Sequence, residues 1–326
     1  MRQLGTAIVC TLLLAVLPGC GADDEVTVLR VGHTLDTGHT VHEAMVYLGE
    51  RLEEYSAGTM RVALYPGGQL GNERELIELL QIGSLAMTKV SASPLEGFVP
   101  EMQVFNVPYV FRDKQHYQQV LDSPIGRQLL DASIPVRLKG LGYYDAGSRS
   151  FYTVDQPVNS PADLAGLKIR VQESQTAVRM VSALGGSATP IAWGELYTAL
   201  QQGVVDGAEN NPPSFYRSGH YEICAYYTLD EHTAVPDILL IGTVAWDSLN
   251  AQQQGWLQRA VDESVDYQRK LWREDSDAAL AAVEAAGVEI IRPEKTAFRD
   301  QVAGMRATYA GTAIGELIDQ IALVGN

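Results

Sequence analysis

A long stretch near the carboxyl end constrains the fold more than any other part of the sequence. Between Asn250 and about Ala286 there is no proline, and Gly255 is the only glycine. Apolar residues recur there at helical spacing, from Trp256 to Val283. A continuous helix over this stretch is about 50 Å long at 1.5 Å per residue, which exceeds the width of a single domain. The pattern therefore predicts a helix that spans two lobes, with its aromatic residues packed in the core.

The chain before that helix alternates β-strand and α-helix patterns. Val26–Val31 and Met60–Tyr65 are rich in β-forming residues, and helical periodicity fills residues 42–56 between them. Asn72 can cap a second helix, which Gly83 ends. This order is typical of an α/β layer with parallel strands, and 326 residues are enough for two domains. Further strands are predicted at 86–91, 140–144, 168–171, 188–190, 205–209 and 238–244.

The charge of the chain and its missing motifs exclude several classes of function. Asp and Glu number 40 against 24 Lys and Arg, for a formal net charge of −16. Nucleic-acid phosphates are bound by clustered cations, so no nucleic-acid partner is expected. The sequence has no phosphate-binding loop, no dinucleotide fingerprint, no nucleophile elbow and no His or Cys pair at metal spacing. We therefore expect no cofactor, no metal ion and no catalysis.

Residues 1–22 are predicted to be a targeting segment. Arg2 supplies a short positive region, and Ala7–Leu17 is an apolar run too short to span a bilayer. Leu17-Pro-Gly-Cys20 looks like a lipoprotein box, in which Cys20 is lipidated and becomes the new amino terminus. Ordinary cleavage after Ala22 is the alternative. Either reading predicts a periplasmic or otherwise extracytoplasmic protein.

Five segments of the chain stand out together: Tyr65–Glu75, Phe105–Phe111, Asp163–Val171, Glu195–Asn210 and His220–Glu222. Together they resemble one known family, the extracytoplasmic solute receptors of tripartite ATP-independent periplasmic (TRAP) transporters. Their order and spacing carry the resemblance, which covers nearly the whole mature chain. It implies an α/β periplasmic-binding-protein-like fold of two lobes, with a ligand cleft between them and the long carboxyl-terminal helix across both. It also implies a monomer that delivers a small carboxylate to the permease subunits in the membrane.

The same resemblance sets the expected division of the chain. Lobe I takes residues 26–147 and about 236–250. Lobe II takes about 148–235 and about 286–310. The helix at about 250–286 joins the two.

Arginine and asparagine side chains are predicted to hold the ligand's carboxylate. Arg170 ends a predicted strand, and a guanidinium matches a carboxylate with two parallel hydrogen bonds. The family's carboxylate salt bridge comes from this motif position; the alternative is a surface arginine. Arg149 matches a second family arginine that reaches the ligand, and Asn210 matches the family's ligand asparagine. Asn211 is either an extra contact or a helix cap.

Other side chains are predicted to contact the rest of the ligand. Trp193 stands where the family places an aromatic wall and can stack on a sugar ring, or it is a core tryptophan. Glu73 accepts ligand hydroxyls or is a surface residue favoured by the helix dipole. Lys89 and Ser91 share one face of a strand. If that face lines the cleft, they add a cation and a hydroxyl; a solvated lysine is the alternative.

The ligand is expected to be a sugar acid. His33 and His39 lie in the first strand–helix loop, which the family closes over its ligand, although a structural histidine fits either position equally. Together with the arginines, these donors, acceptors and stacking face favour a hexuronate such as glucuronate or galacturonate. A C4-dicarboxylate or another small carboxylate is the alternative. A receptor for a membrane sensor kinase and an enzyme are alternatives from other classes.

Overall fold

The computed structural model describes residues 26–325, which form two β-sheets surrounded by helices. The strands of this part of the chain are β1 (Thr27–Gly32), β2 (Met60–Tyr65), β3 (Met87–Ser91), β4 (Leu138–Tyr144), β5 (Arg149–Thr153), β6 (Lys168–Val171), β7 (Ser187–Pro190), β8 (Gly207–Asn210), β9 (Tyr226–Thr233), β10 (Asp237–Gly242) and β11 (Glu289–Ile291). Its α-helices are α1 (Thr40–Tyr55), α2 (Glu73–Gln81), α3 (Ala92–Leu95), α4 (Gln103–Asn106), α5 (Lys114–Leu121), α6 (Pro124–Asp131), α7 (Gln175–Ala183), α8 (Leu196–Gln201), α9 (Pro212–Arg217), α10 (Thr243–Ser248), α11 (Ala251–Ala285), α12 (Lys295–Ala307) and α13 (Ala313–Leu323).

Each sheet is the centre of one lobe. The sheet of lobe I has the strand order β2-β1-β3-β10-β4, with β1 parallel to β2 and β3, and β10 antiparallel to β3 and β4. The sheet of lobe II has the order β11-β9-β5-β8-β6-β7, with β6 parallel to β7 and β8. In each sheet one strand, β10 or β5, runs antiparallel to both of its neighbours.

Local sequence signals account for the start of lobe I. The apolar positions Ala44, Leu48 and Leu52 of α1 are buried on one face of that helix, as the periodicity predicts. In α2, Asn72 and Glu75 form a reciprocal capping box that satisfies backbone groups at the helix start. The predicted order of strand, helix, strand and helix is confirmed.

The long helix α11 spans both lobes. Its 35 residues run without a break from Ala251 to Ala285, about 52 Å at 1.5 Å per residue. Asn250 and Gln253 cap its start reciprocally. It packs against α1 of lobe I and against α9 of lobe II. The prediction of a bridging helix is therefore confirmed.

The described chain passes between the lobes at four places. Residues 145–148 join β4 to β5, and residues 234–236 join β9 to β10. Helix α11 is the third passage. The fourth follows α12, because Phe298 of α12 is buried in the core of lobe II whereas Leu317 of α13 is buried in that of lobe I. Within the described residues, four segments of the chain therefore connect the two lobes covalently.

The predicted targeting segment lies outside the described residues. Lipidation of Cys20 and cleavage after Ala22 therefore stay predictions. Within residues 26–325, no helix is both long enough and apolar enough to cross a membrane.

Candidate functional site

A small cavity of about 40 Å³ lies where the two lobes meet. Strand ends and loops of both lobes form its wall, and Trp272 of α11 closes one side. Arg170 and His33 are not among the lining residues. The predicted residues that line the cavity are Arg149, Asn210, Asn211, Trp193, Glu73, Lys89, Ser91 and His39.

Arg149 is held rigidly at the start of β5 by an acidic partner. Its Nε and Nη2 atoms donate to the buried Glu209 carboxylate, with Nη2 2.9 Å from Oε1. Its Nη1 donates to Asn210 Oδ1 at 2.9 Å. Burial raises the pKa of Glu209, but Arg149 and His232 lower it further, to about 2. The charge of Arg149 is therefore balanced before any ligand binds.

A buried histidine–aspartate pair lies beside Glu209. His232 Nδ1 is 2.8 Å from Asp230 Oδ2, and its Nε2 is 3.5 Å from Glu209 Oε2. Burial lowers the pKa of His232, but the two carboxylates raise it to about 9. The imidazole is thus cationic at neutral pH. Sequence reasoning missed this pair, whose only signal is an aspartate and a histidine two residues apart, on one face of a strand.

Arg170 of β6 is buried, with only 2% of its surface exposed. Its Nε donates to the backbone oxygen of Ile191 at 2.8 Å, which orients the guanidinium. Its Nη1 is buried without a hydrogen-bond partner among the described residues. The guanidinium carbon lies 6.0 Å from the ring centre of Trp193, which lines the cavity. A buried cation without an acidic partner is costly, so this position suits an anion.

Lys89 of lobe I is paired with two carboxylates. Its Nζ lies 2.9 Å from Asp237 Oδ1 and 3.2 Å from Glu73 Oε1. Burial lowers the pKa of Lys89, but Asp237 and Glu73 raise it above its usual range. The prediction was that Lys89 adds a cation if its strand face lines the cleft, or else is solvated. Lys89 is buried and lines the cavity, and two carboxylates face its single charge. Asp237 was missed because nothing in the local sequence predicts that β10 lies beside β3.

Asn211 and Trp193 have both structural and cavity-facing positions. Asn211 Oδ1 accepts from the backbone nitrogen of Ser214 at 2.9 Å, so it caps α9 and also lines the cavity. Trp193 begins a short 3₁₀ turn and is half-buried, with its ring centre 5.2 Å from that of His220.

The two loop histidines differ in position. His39 caps α1 through its Nδ1, and its Nε2 lies 3.4 Å from Ser214 Oγ of lobe II. His33 is fully buried, and its Nε2 lies 2.9 Å from His42 Nδ1. Burial and, to a smaller extent, the positive charge of Lys89 lower the pKa of both His33 and His39 to about 3. Both rings are therefore neutral at neutral pH.

Hydrogen bonds cross the cleft from one lobe to the other. Ser91 Oγ donates to Gln172 Oε1 at 3.2 Å, and Arg217 Nη1 donates to the backbone oxygen of Gly38 at 2.8 Å. The Glu96 carboxylate of lobe I accepts from Ser174 Oγ at 2.7 Å, beside the start of α7 in lobe II. The lobes are thus in contact on several sides of the cavity.

Comparison with known proteins agrees with this architecture. The family model of the bacterial extracellular solute-binding proteins, family 7, matches residues 31–311. A TRAP periplasmic solute-binding protein from Bradyrhizobium, solved with α/β-D-galacturonate, is 42% identical, with a TM-score of 0.87 over 90% of this chain and 98% of that one. Another from Pseudomonas putida F1, with bound D-glucuronate, is 36% identical, with a TM-score of 0.89 over 92% and 98%.

A curated relative extends the match. The uncharacterized protein YiiZ of Salmonella typhimurium is 37% identical over 304 residues, which are 93% of this chain and 92% of the relative. The matches confirm both the resemblance and the two-lobed fold. This chain therefore belongs to family 7 of the bacterial extracellular solute-binding proteins and is a TRAP-transporter solute receptor.

Proposed function

We propose that this receptor binds a hexuronate, such as D-glucuronate or D-galacturonate, through a salt bridge between its carboxylate and Arg170. The buried Nη1 of Arg170, which has no hydrogen-bond partner in the described part of the chain, is the observation that carries the proposal. The bond from Nε to Ile191 holds the guanidinium plane in place, which favours a paired hydrogen bond to a carboxylate. Two structural neighbours that contain a hexuronate support the choice of ligand.

The rest of the cleft suits a sugar ring with several hydroxyls. Asn210 and Asn211 offer amide donors, Glu73 offers a carboxylate acceptor and Ser91 offers a hydroxyl. The indole of Trp193 offers an apolar face on which a ring can stack. His39, neutral at physiological pH, accepts from the backbone nitrogen of Val41 through Nδ1, so its Nε2–H is a hydrogen-bond donor.

Ligand entry requires the lobes to part. A cavity of 40 Å³ has room for only a few water-sized groups, far less than a hexuronate needs. Lobe I comprises residues 26–147 and about 236–250, with α13 packed into its core, and lobe II comprises about 148–235 and 286–310. They move about residues 145–148 and 234–236 and the bridging helix, opening to admit the ligand and closing over it.

The receptor releases its ligand unchanged to the permease subunits of a TRAP transporter. It works outside the cytoplasmic membrane as a monomer, anchored through a lipid on Cys20.

Isothermal titration of the mature protein tests the proposal. D-glucuronate, D-galacturonate, succinate and L-malate are compared at equal pH and salt. We expect a hexuronate to bind about 100-fold more tightly than succinate, a difference of about 2.8 kcal/mol. Tighter binding of succinate or malate would refute the sugar-acid proposal and favour a C4-dicarboxylate receptor. NMR spectra of the ligand after overnight incubation check that it is not converted.

A further inference from the structure

We propose that the cleft selects sugar acids with one carboxylate and rejects those with two, because Glu73, Lys89 and Asp237 form a hydroxyl-binding wall of net negative charge. We call these three residues the acid–lysine cluster. The inference rests on the proposed function and adds to it the number of charges that the ligand carries.

The geometry of the acid–lysine cluster sets its charge. A single ammonium lies between two carboxylates, at 2.9 Å from Asp237 and 3.2 Å from Glu73. The three side chains are 4–10% exposed. Antiparallel pairing of β10 with β3 places Asp237 opposite Ser91, two residues from Lys89. Burial raises the pKa of Asp237, Lys89 lowers it and Glu73 raises it again, so that it stays above its ordinary value. At a pH where both carboxylates are ionised, one cation and two anions leave a net charge of −1 at this wall.

The remaining charges of the cleft leave only one place for an anion. Arg149 is paired with Glu209, and His232 with Asp230, so these four groups sum to zero. Arg170 does not line the small cavity, but its guanidinium carbon lies 6.0 Å from the ring of Trp193, which does. Among the described residues it is the buried cation of this region that has no acidic partner. A first carboxylate thus binds at Arg170 in lobe II. A second carboxylate, directed to lobe I, meets the net negative cluster.

The acid–lysine cluster is well suited to neutral hydroxyls. Lys89 has three N–H donors and uses one toward each carboxylate, which leaves one for a ligand oxygen. Carboxylate oxygens accept strong hydrogen bonds from hydroxyls. A ligand carboxylate at the same wall would be repelled, and low solvent exposure strengthens that repulsion. Uronates and aldonates fit this arrangement, whereas aldarates and C4-dicarboxylates do not.

Titration with D-glucarate tests the inference. We compare its dissociation constant for the wild type, for Asp237→Asn and for Glu73→Gln. Each variant removes one negative charge and keeps the shape of the side chain. We expect the affinity for glucarate to rise about tenfold or more in at least one variant, while the affinity for D-gluconate, which has a hydroxymethyl group at carbon 6, does not rise.

The controls separate this inference from the proposed function. Asp300→Asn removes the same charge from an exposed position of α12 and is expected to leave both affinities unchanged. Thermal unfolding shows that each variant is folded. Unchanged glucarate affinity in both cluster variants overturns the inference while hexuronate binding by the wild type upholds the proposed function. Wild-type binding of a dicarboxylate in place of any sugar acid overturns both.

Discussion

At the scale of single residues, Arg170 carries the largest share of the proposed recognition. Its guanidinium is buried and oriented, yet one terminal nitrogen has no partner within residues 26–325. We expect Arg170→Ala to weaken hexuronate binding by about 2–5 kcal/mol, the cost of removing one partner of a buried charge pair. Arg170→Lys should also weaken it, because an ammonium cannot reproduce the paired geometry.

The control for this prediction is Arg273→Lys, an exposed position on α11. It should leave the affinity unchanged in the same titration. Retention of wild-type affinity by Arg170→Ala would show that the carboxylate binds elsewhere.

Most of the residues that the sequence predicts at the site line the cavity, but the sequence does not reveal the side chains that pair with them. Arg149, Asn210 and Trp193 stand in motifs whose side chains suit carboxylate and sugar contacts, and they line the cavity. Asp237 and His232 stand in no such motif. Asp237 reaches Lys89 only because β10 pairs with β3. This pairing sets Asp237 opposite Ser91, which lies 146 residues earlier in the chain. Local patterns do not encode such long-range pairing.

At the scale of elements, the buried charge network that joins β5, β8 and β9 makes stability depend on pH. His232 has a pKa of about 9 in the folded protein against 6.5 when unfolded. The stabilisation that His232 contributes to the folded protein is complete below pH 6.5 and is lost as pH rises toward 9. Glu209 has a pKa of about 2 against 4.5, so its contribution is present above pH 4.5 and lost as pH falls toward 2.

Urea unfolding between pH 6 and 9 checks this prediction. A raised pKa of this size corresponds to at most about 3 kcal/mol, so the free energy of unfolding should fall by roughly that amount or less. His232→Gln, measured at the same pH values, should remove most of the slope. A wild-type stability that stays flat from pH 6.5 to 9 is incompatible with a cationic His232.

The elements differ in how far their sequences reveal them. The helix predicted from Asn250 to Ala286 is α11, Ala251–Ala285, because its periodicity and its cap are local signals. Strand β9 was not predicted. It carries Asp230, Glu231 and His232, polar residues that are typical of loops. Asp230 and His232 are nevertheless buried in the strand, because they form an ion pair with each other. Glu231 has a φ of 49°, and the register with β5 shifts nearby.

At the scale of the whole molecule, contacts between the lobes favour the closed form. The Glu96 carboxylate of lobe I accepts from the backbone nitrogen of Thr176 at 3.0 Å and from its hydroxyl at 3.1 Å, at the start of α7. Hydrogen bonds to a charged group contribute about 1.5–3 kcal/mol. Glu96→Ala should therefore shift the ligand-free protein toward the open form and weaken hexuronate binding by about tenfold.

Small-angle X-ray scattering checks the structural part of this prediction. The radius of gyration of ligand-free Glu96→Ala should exceed that of the wild type, and saturating ligand should reduce the difference. Glu284→Gln, on an exposed position of α11, is the control and should match the wild type. Equal radii for Glu96→Ala and the wild type would mean that this contact does not govern closure.

A crystal structure of the mature protein with D-galacturonate tests the central claim most directly. The account predicts that both carboxylate oxygens of the sugar accept hydrogen bonds from Arg170, while hydroxyls of the ring meet Lys89, Glu73 or Asp237. A galacturonate bound in the opposite orientation, with its carboxylate on Lys89 and its hydroxyls at Arg170, would contradict the account.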